Sequence, residues 1–187
     1  MLNLKPLKAA VLKTILNRQQ LAITIDRLCH QVIENHPDLA DTVLIGLQPR
    51  GIWLSDHIFQ RLLQLRPGTP VPYGRLDITF YRDDYNKGAE LHIPTRTDIG
   101  FSIEGKQVIL VDDVLYTGRT IRSALDAMLD FGRPERVELL VLIDRRFSRQ
   151  LPIQPDYVGK TIDSIISQRV RVFWQEPDQR EEVVLIG

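Results

Sequence analysis

Residues 108–120 read Val-Ile-Leu-Val-Asp-Asp-Val-Leu-Tyr-Thr-Gly-Arg-Thr, and this stretch decides the fold. The apolar run 108–111 has the length and β-branched content of a strand buried on both faces. We expect that strand to end at Asp112. Beyond a Tyr-Thr-Gly turn, apolar residues recur at the three-and-four spacing of an amphipathic helix, at Ile121, Leu125 and Met128, with Leu129 beside them. The stretch therefore predicts a strand, a short loop and a helix.

The loop residues carry a recognisable chemistry. Ligands of open α/β sheets bind at the carboxyl ends of parallel strands, where this loop would lie. Free N–H groups at the start of a helix suit a phosphate dianion, Gly118 allows close approach, and Thr117 and Thr120 add hydroxyl donors. Asp112 and Asp113 are acceptors for vicinal sugar hydroxyls or for an outer-sphere Mg²⁺. The simpler alternative, a capped helix and a closed turn, explains two adjacent carboxylates less well.

Length and composition limit the classes of function that this chain can have. A chain of 187 residues fits one domain with a substantial core, and we expect an extension over 1–13 and a single domain over 14–187. Lys plus Arg equals Asp plus Glu at 24 each, so RNA binding would need a local basic patch. Cys29 is the single cysteine, which excludes an internal disulfide. Without a long apolar run or a signal-peptide core, we expect a cytoplasmic protein with no membrane partner.

Before the central stretch, the pattern predicts a short strand at 14–16, then a helix with Asn17 as its N-cap that ends near 36–37. The apolar stripe of that helix is formed by Leu21, Ile25, Leu28 and Val32. A buried strand over 42–47 and a helix over 52–65 follow, joined by the turn Gln48-Pro49-Arg50-Gly51, which is in principle a second anion site. Residues 71–81 alternate as a half-buried strand.

The remaining segments complete an alternating α/β pattern. Residues 82–94 form a polar, glycine-containing span that is either a surface hairpin or a mobile lid. A buried strand over 137–143 ends at Asp144-Arg145-Arg146, and shorter strands are expected near 170–174 and 183–186.

The central stretch resembles, along its whole length, the loop with which type I phosphoribosyltransferases bind 5-phosphoribosyl-1-pyrophosphate (PRPP). Four linked runs narrow the resemblance to the bifunctional pyrimidine-operon attenuators that are also uracil phosphoribosyltransferases. One is the central loop itself at 114–120, and the others lie at 76–84, 130–134 and 151–160. The likeness covers about residues 15–186. It implies an α/β fold with a mainly parallel central sheet flanked by helices, a flexible loop at about 82–94 and a small hood at about 145–187.

The resemblance also implies an activity, namely transfer of the phosphoribosyl group from PRPP to N1 of uracil, giving UMP and pyrophosphate with Mg²⁺ as cofactor. It gives catalytic roles to Arg82, which would reach the leaving group, and to Asp112 and Asp113, which would fix the ribose hydroxyls and touch Mg²⁺ only indirectly. It assigns substrate contacts to Pro49, Arg50, Gly51, Val108, Ile109, Leu110, Val111, Asp112, Asp113, Val114, Leu115, Tyr116, Thr117, Gly118, Arg119, Thr120, Asp156, Tyr157 and Val158.

Two details follow from the likeness. The turn at 48–51 would be the pyrophosphate loop, which in the family contains a cis peptide bond. Because a prolyl bond lowers the free-energy cost of the cis form, we predict that the Gln48–Pro49 bond is cis. A trans bond in a simple turn is the alternative. Related purine enzymes carry a carboxylate where this chain has Tyr116, so we assign no general base. Backbone groups around Asp156, Tyr157 and Val158 would hold uracil, although Tyr157 is better explained as a packing aromatic.

The second function implied by the resemblance is binding of leader mRNA. Its candidate residues are Arg27, His30, Arg145, Arg146 and Arg149. The chain departs from the family in two places: Gln48-Pro49 precedes Arg50, and the run at 145–149 is one residue longer than the family's usual form. These changes remove some contacts to RNA phosphates, and the arginines beside Phe147 could replace them. A homodimer or a higher homo-oligomer is expected. Two alternatives stay open: a nucleotide sensor or regulator with little turnover, and a phosphoribosyltransferase for a purine or for orotate.

Overall fold

The computed structural model describes residues 12–81, 96–165 and 167–187. Within these ranges, five parallel strands form the main sheet in the order β3-β2-β4-β5-β6. The strands span Thr42–Leu47 (β2), Tyr73–Leu76 (β3), Gln107–Leu115 (β4), Arg136–Arg146 (β5) and Tyr157–Asp163 (β6). This is the α/β architecture that the alternating pattern predicts.

Three helices cover the two faces of this sheet. Helices α1 (Arg18–Asn35) and α2 (Gly51–Leu65) pack on one face, and α3 (Arg119–Met128) packs on the other. Alternate residues of β4 serve the two sides, since Ile109 and Val111 belong to the first core and Val108 and Leu110 to the second. Strands buried on both faces explain why the central stretch is continuously apolar.

A second, antiparallel sheet of three strands stands beside the main sheet in the order β1-β8-β7. Its strands are Leu12–Leu16 (β1), Arg169–Phe173 (β7) and Glu182–Ile186 (β8), and the short helix α4 (Gln175–Asp178) connects β7 to β8. We call this unit the hood. Segment 157–163, which the sequence analysis grouped with the hood, is the edge strand β6 of the main sheet.

Helix α1 follows its sequence signals closely. The Asn17 side chain accepts a hydrogen bond from the Gln20 N–H (2.9 Å), and the Gln20 side chain accepts one from the Asn17 N–H (3.0 Å), which forms a capping box. The predicted stripe is buried, and His36 ends the helix. Arg27 and His30 lie off this stripe and are exposed.

Three sequence predictions about element bounds are wrong. Strand β4 continues past Asp112 to Leu115, because Val114 and Leu115 pair with β5. The strand expected over 71–81 is only four residues long, and residues 79–81 form a 3₁₀ turn. Leu129 lies in a 3₁₀ turn after α3 and is exposed. For β4, pairing with the neighbouring strand decides what local alternation leaves open.

No helix in the described ranges is long and apolar enough to cross a membrane. The predicted flexible loop at 82–94 and Arg82 lie outside the described residues.

Candidate functional site

Two strand-to-helix turns meet at the carboxyl end of the main sheet. The β4–α3 turn (residues 116–120) follows β4, and the β2–α2 turn (residues 48–51) follows β2, its neighbour in the sheet. Because adjacent parallel strands end at the same edge, both turns open onto one site. The sequence prediction that 48–51 lies beside the central loop is therefore confirmed.

The β4–α3 turn forms a cradle for an anion. Gly118 has φ +90°, a conformation that side chains with a Cβ rarely adopt, and it directs the chain into the first turn of α3. The Thr117 hydroxyl oxygen accepts from the Arg119 N–H (3.4 Å). A cavity of about 300 Å³ opens here, lined by Asp112, Val114, Leu115, Tyr116, Thr117, Gly118, Arg119, Thr120 and Ile121. Helix N–H groups and hydroxyls around such a cavity suit a phosphate.

Asp112 and Asp113 lie inside β4 and are buried, with 7% and 8% of their surface exposed. One Asp112 carboxylate oxygen accepts from the Asp113 N–H (2.9 Å). Burial raises the pKa of the Asp113 carboxyl above its usual value, and the Arg50 guanidinium opposes that rise. Asp112 lines the cavity of the β4–α3 turn and Asp113 follows it in the strand, so both remain candidates for contacts to ribose hydroxyls.

The β2–α2 turn contains the cis Gln48–Pro49 bond that the sequence analysis predicted. It is followed by Gly51, the first residue of α2, which packs directly against β4. A Cβ at this position would lie 2.7 Å from the Val111 carbonyl oxygen and 3.0 Å from the Asp112 Cα. Only glycine therefore allows this turn to lie so close to the carboxylates.

Arg50 connects the site to the hood. Its Nε lies 3.5 Å from the Asp113 carboxylate, while its Nη2 lies 3.4 Å from the Asp178 carboxylate and donates to the Val172 carbonyl oxygen. Asp178 in turn accepts from the Trp174 N–H (3.1 Å). The sequence analysis missed Asp178 and Val172, because no local motif connects a four-residue helix near the chain end to a turn at residue 50.

Of the residues expected to hold uracil, Tyr157 and Val158 begin β6, and Asp156 directly precedes it and accepts from the Leu139 N–H (2.8 Å). Val158 lines a second cavity of about 640 Å³, together with Asp144, Arg146, Phe147, Arg149, Pro152, Ile153, Gln154 and Pro155. Tyr157 is buried, and its hydroxyl donates to the Glu138 carboxylate (2.8 Å) and accepts from the Asn35 amide (3.1 Å). Burial raises its pKa. Its ring packs in the core, as the simpler explanation held, so only Val158 of this group reaches a cavity.

The candidate RNA residues separate into two sets. Arg27, His30 and Arg146 are exposed, whereas Arg145 is only 5% exposed and Arg149 is partly buried. Of the arginines beside Phe147 that could replace the lost phosphate contacts, only Arg146 is therefore openly exposed. Burial decides this, and burial depends on neighbours distant in sequence.

A metal site made by the protein alone is not present among the described residues, since no three His, Cys, Asp or Glu side chains cluster suitably there. The two buried carboxylates of β4 offer oxygen ligands, which Mg²⁺ prefers. They fit a metal that receives its other ligands from a bound phosphate compound.

Comparison with known proteins places the chain among related sequences and folds. The phosphoribosyl transferase domain matches residues 11–177. The bifunctional protein PyrR of a Picosynechococcus species is 46% identical over 92% of this chain and 96% of its own length, and that of a Synechocystis species is 44% identical over 95% and 98%. The hypoxanthine phosphoribosyltransferase of Trypanosoma cruzi has the same fold, with a TM-score of 0.72 at 18% identity over 98% of this chain and 94% of its own. That of Staphylococcus aureus has a TM-score of 0.69 at 20% identity over 94% and 91%.

Proposed function

The chain belongs to the phosphoribosyltransferase family and, within it, to the bifunctional PyrR proteins, and from this premise we propose that it transfers the phosphoribosyl group of PRPP to uracil. The observation that carries the proposal is the meeting of the phosphate cradle at 116–120, the buried Asp112 and Asp113, and Arg50 at one edge of the sheet. These groups match the three parts of PRPP: the 5′-phosphate, the ribose hydroxyls and the pyrophosphate.

In the proposed reaction, the bond from C1′ to the pyrophosphate oxygen breaks and the leaving group takes the electron pair. A bond then forms between C1′ and N1 of uracil, whose N1 proton is lost, and UMP results. The sugar passes through a cationic, oxocarbenium-like state, so the protein acts by holding phosphate, ribose and leaving group in line.

Each part of the site has a defined task in this proposal. The N–H groups at the start of α3 bind the 5′-phosphate, and Asp112 and Asp113 accept hydrogen bonds from the ribose hydroxyls. Arg50 stabilises the departing pyrophosphate, and Arg82, which lies outside the described residues, has the same task by family resemblance. A Mg²⁺ ion carried by PRPP would neutralise pyrophosphate charge. No residue is assigned as general base, since Tyr116 stands where purine enzymes have a carboxylate.

The cavity lined by Val158 is the proposed binding site of the uracil base. It adjoins the phosphate cradle through Arg149, which lines this cavity and bonds to Tyr116. Uracil rather than a purine or orotate is inferred from the PyrR relatives.

Product formation from a panel of bases tests this function. Wild-type protein with PRPP and Mg²⁺ is expected to form UMP from uracil and little product from hypoxanthine, guanine or orotate. Arg82→Ala should lower turnover, because the leaving group loses one cation. Tight UMP binding without turnover would instead favour a nucleotide sensor, and preference for another base would overturn the substrate assignment.

A second function, UMP-dependent binding of leader mRNA by a cytoplasmic protein, is supported by the exposed cations along the edge strand β6. Arg27 donates to the Val158 and Gly159 carbonyl oxygens (3.1 and 2.6 Å), and Arg146 pairs with Asp163 (2.7 Å) at the other end of that strand. Gly159 and Asp163, the residues of β6 that these two arginines contact, are four residues apart along the strand, which is roughly 13 Å. We propose this edge, with His30, as the RNA surface of a protein that acts as a homodimer or a higher oligomer. Salt-dependent binding to a leader transcript tests it.

A further inference from the structure

The segment after β5, residues 147–151, folds back over the β4–α3 turn. The N–H groups of Gln150 and Leu151 both donate to the Thr117 carbonyl oxygen, at 3.0 and 3.2 Å. The Gln150 side chain also accepts from the Arg119 Nε (2.9 Å). These bonds hold the carbonyl side of the turn, so that its N–H groups remain directed at the cavity.

Arg149 makes the most direct contact with the turn. Its Nη1 donates to the Tyr116 carbonyl oxygen (2.6 Å), and its Nη2 donates to the Asp144 carboxylate at the end of β5. The guanidinium therefore links the residue that enters the turn to the neighbouring strand. Bonds of this charge-assisted kind are stronger than neutral ones and fix direction through the planar fork.

Arg145 holds the side chain of the same residue. Its guanidinium carbon lies 4.0 Å from the centroid of the Tyr116 ring, the arrangement of a cation–π contact. The Arg145 side chain is itself fixed by the Ser164 hydroxyl (2.8 Å) and by the carbonyl oxygens of Ile165 and Gln168 (3.2 and 2.9 Å). Tyr116 is thus held at its ring by one arginine and at its carbonyl by another.

Arg146, between them in sequence, makes neither contact. Its Nε bonds to Asp163 and its guanidinium lies 5.6 Å from the Phe147 ring centroid, on an exposed surface. Phe147 has φ +64° and is 83% exposed. Arg146 follows the buried Arg145 in β5 and therefore points to the opposite face of the strand, whereas the chain reverses at Phe147 and brings Arg149 back to the turn.

We propose that Arg149 and Arg145 are positioning residues for the 5′-phosphate: they set the β4–α3 turn in the conformation that binds phosphate, and they do not bind RNA. The proposal rests on the proposed function in taking that turn as the 5′-phosphate site. It assigns opposite tasks to two arginines three residues apart, since Arg149 serves the nucleotide and Arg146 faces solvent.

Binding of two probes to the full-length protein tests this inference. UMP carries the 5′-phosphate, whereas inorganic pyrophosphate with Mg²⁺ occupies the β2–α2 turn. Calorimetry on Arg149→Met should show UMP binding weakened about tenfold, the loss of charge-assisted hydrogen bonds, with pyrophosphate affinity within about twofold of wild type. Arg149→Lys should recover part of the UMP affinity. Arg61→Met is the matched control, because Arg61 also donates to a carboxylate, that of Asp26 (2.7 Å), and lines neither turn nor the base cavity; it should bind both probes like wild type.

Amide hydrogen exchange over residues 117–121 gives a readout that needs no ligand. Faster exchange there in Arg149→Met than in Arg61→Met supports the inference, and equal exchange together with unchanged UMP affinity overturns it. Equal losses for UMP and pyrophosphate also overturn it, because they indicate general destabilisation. A wild-type protein that binds no UMP would refute the proposed function, whereas the exchange comparison would still decide whether Arg149 positions the turn.

Discussion

The two turns of the site are held in different ways. The β4–α3 turn is held by backbone geometry, with Gly118 at positive φ and two N–H groups donating to the Thr117 carbonyl oxygen, and by the two arginines that contact Tyr116. The β2–α2 turn is fixed by close packing of Gly51 and by charge, since Arg50 lies between Asp113 and Asp178. The 5′-phosphate is present in both PRPP and UMP, so the turn that binds it can be rigid. The turn that binds pyrophosphate must release it in every reaction cycle, so it needs contacts that can break and form again.

The carboxylates between the two turns should have the largest effect, because they serve both. Asp112→Asn/Asp113→Asn removes two charged acceptors, each worth about 1.5–3 kcal/mol, so we expect kcat/KM for PRPP to fall about 10²- to 10⁴-fold. Steady-state kinetics measures this, with thermal unfolding as a control for folding. Near wild-type turnover would show that the carboxylates do not bind ribose.

Gly51→Ala tests close packing at the β2–α2 turn. The new methyl would lie 2.7 Å from the Val111 carbonyl oxygen, so the turn or β4 must shift. Overpacking of this kind costs about 1–3 kcal/mol. We expect pyrophosphate affinity to fall by about tenfold or more while UMP loses less. Equal losses for both ligands would contradict the separation of the turns.

Gly118→Ala tests backbone geometry at the β4–α3 turn. A non-glycine residue at φ +90° costs roughly 1–2 kcal/mol, and its Cβ would meet Ile153 at 3.3 Å. The expected result is the reverse of the previous one, with UMP affinity lowered about 5- to 30-fold and pyrophosphate affinity nearly unchanged. Calorimetry with both ligands on both variants completes the comparison.

The charge between the turns should make stability depend on pH. Burial raises the pKa of Asp113 in the folded protein, so its contribution to stability is present at low pH and is lost as pH rises through the raised value. Asp113→Asn should therefore raise the unfolding temperature at neutral pH, by about 2–4 °C for each ~1 kcal/mol of relief, and lose this advantage in acid. Calorimetric scans across pH measure it; a lower unfolding temperature at pH 7 would contradict the burial argument.

Arg50→Gln tests how the Arg50–Asp113 pair affects the pH dependence of activity. Arg50 opposes the rise in the pKa of Asp113, so its removal should move the acid limb of the kcat/KM profile to higher pH. A limb at unchanged pH would show that another group controls it.

Arg27→Ala, on helix α1 beside the edge strand β6, should have the smallest effect. Loss of one phosphate contact is expected to lower the slope of log K against log salt for leader RNA by about one unit, with catalysis unchanged. Arg146→Ala is the parallel variant on the same edge. An unchanged salt slope in both would remove this edge from the RNA surface.

The parts of the protein whose causes are local could be predicted from the sequence. The apolar run at 108–111, the carboxylates after it, the Thr-Gly turn and the Asn17 cap each act within a few residues, so the existence of the strand, the loop after it and the start of α1 were predictable, although the end of the strand was not. The cis Gln48–Pro49 bond and the family could also be predicted from the sequence, because both depend on short motifs.

The side chains that complete the site beyond those motifs depend on the tertiary structure. Asp178 reaches Arg50 from the hood, and Arg149 contacts the β4–α3 turn while Arg146 faces solvent. The three arginines at 145, 146 and 149 look equivalent in sequence, and their surroundings alone distinguish them. Burial and long-range pairing depend on residues far apart in the chain, which local spacing does not encode.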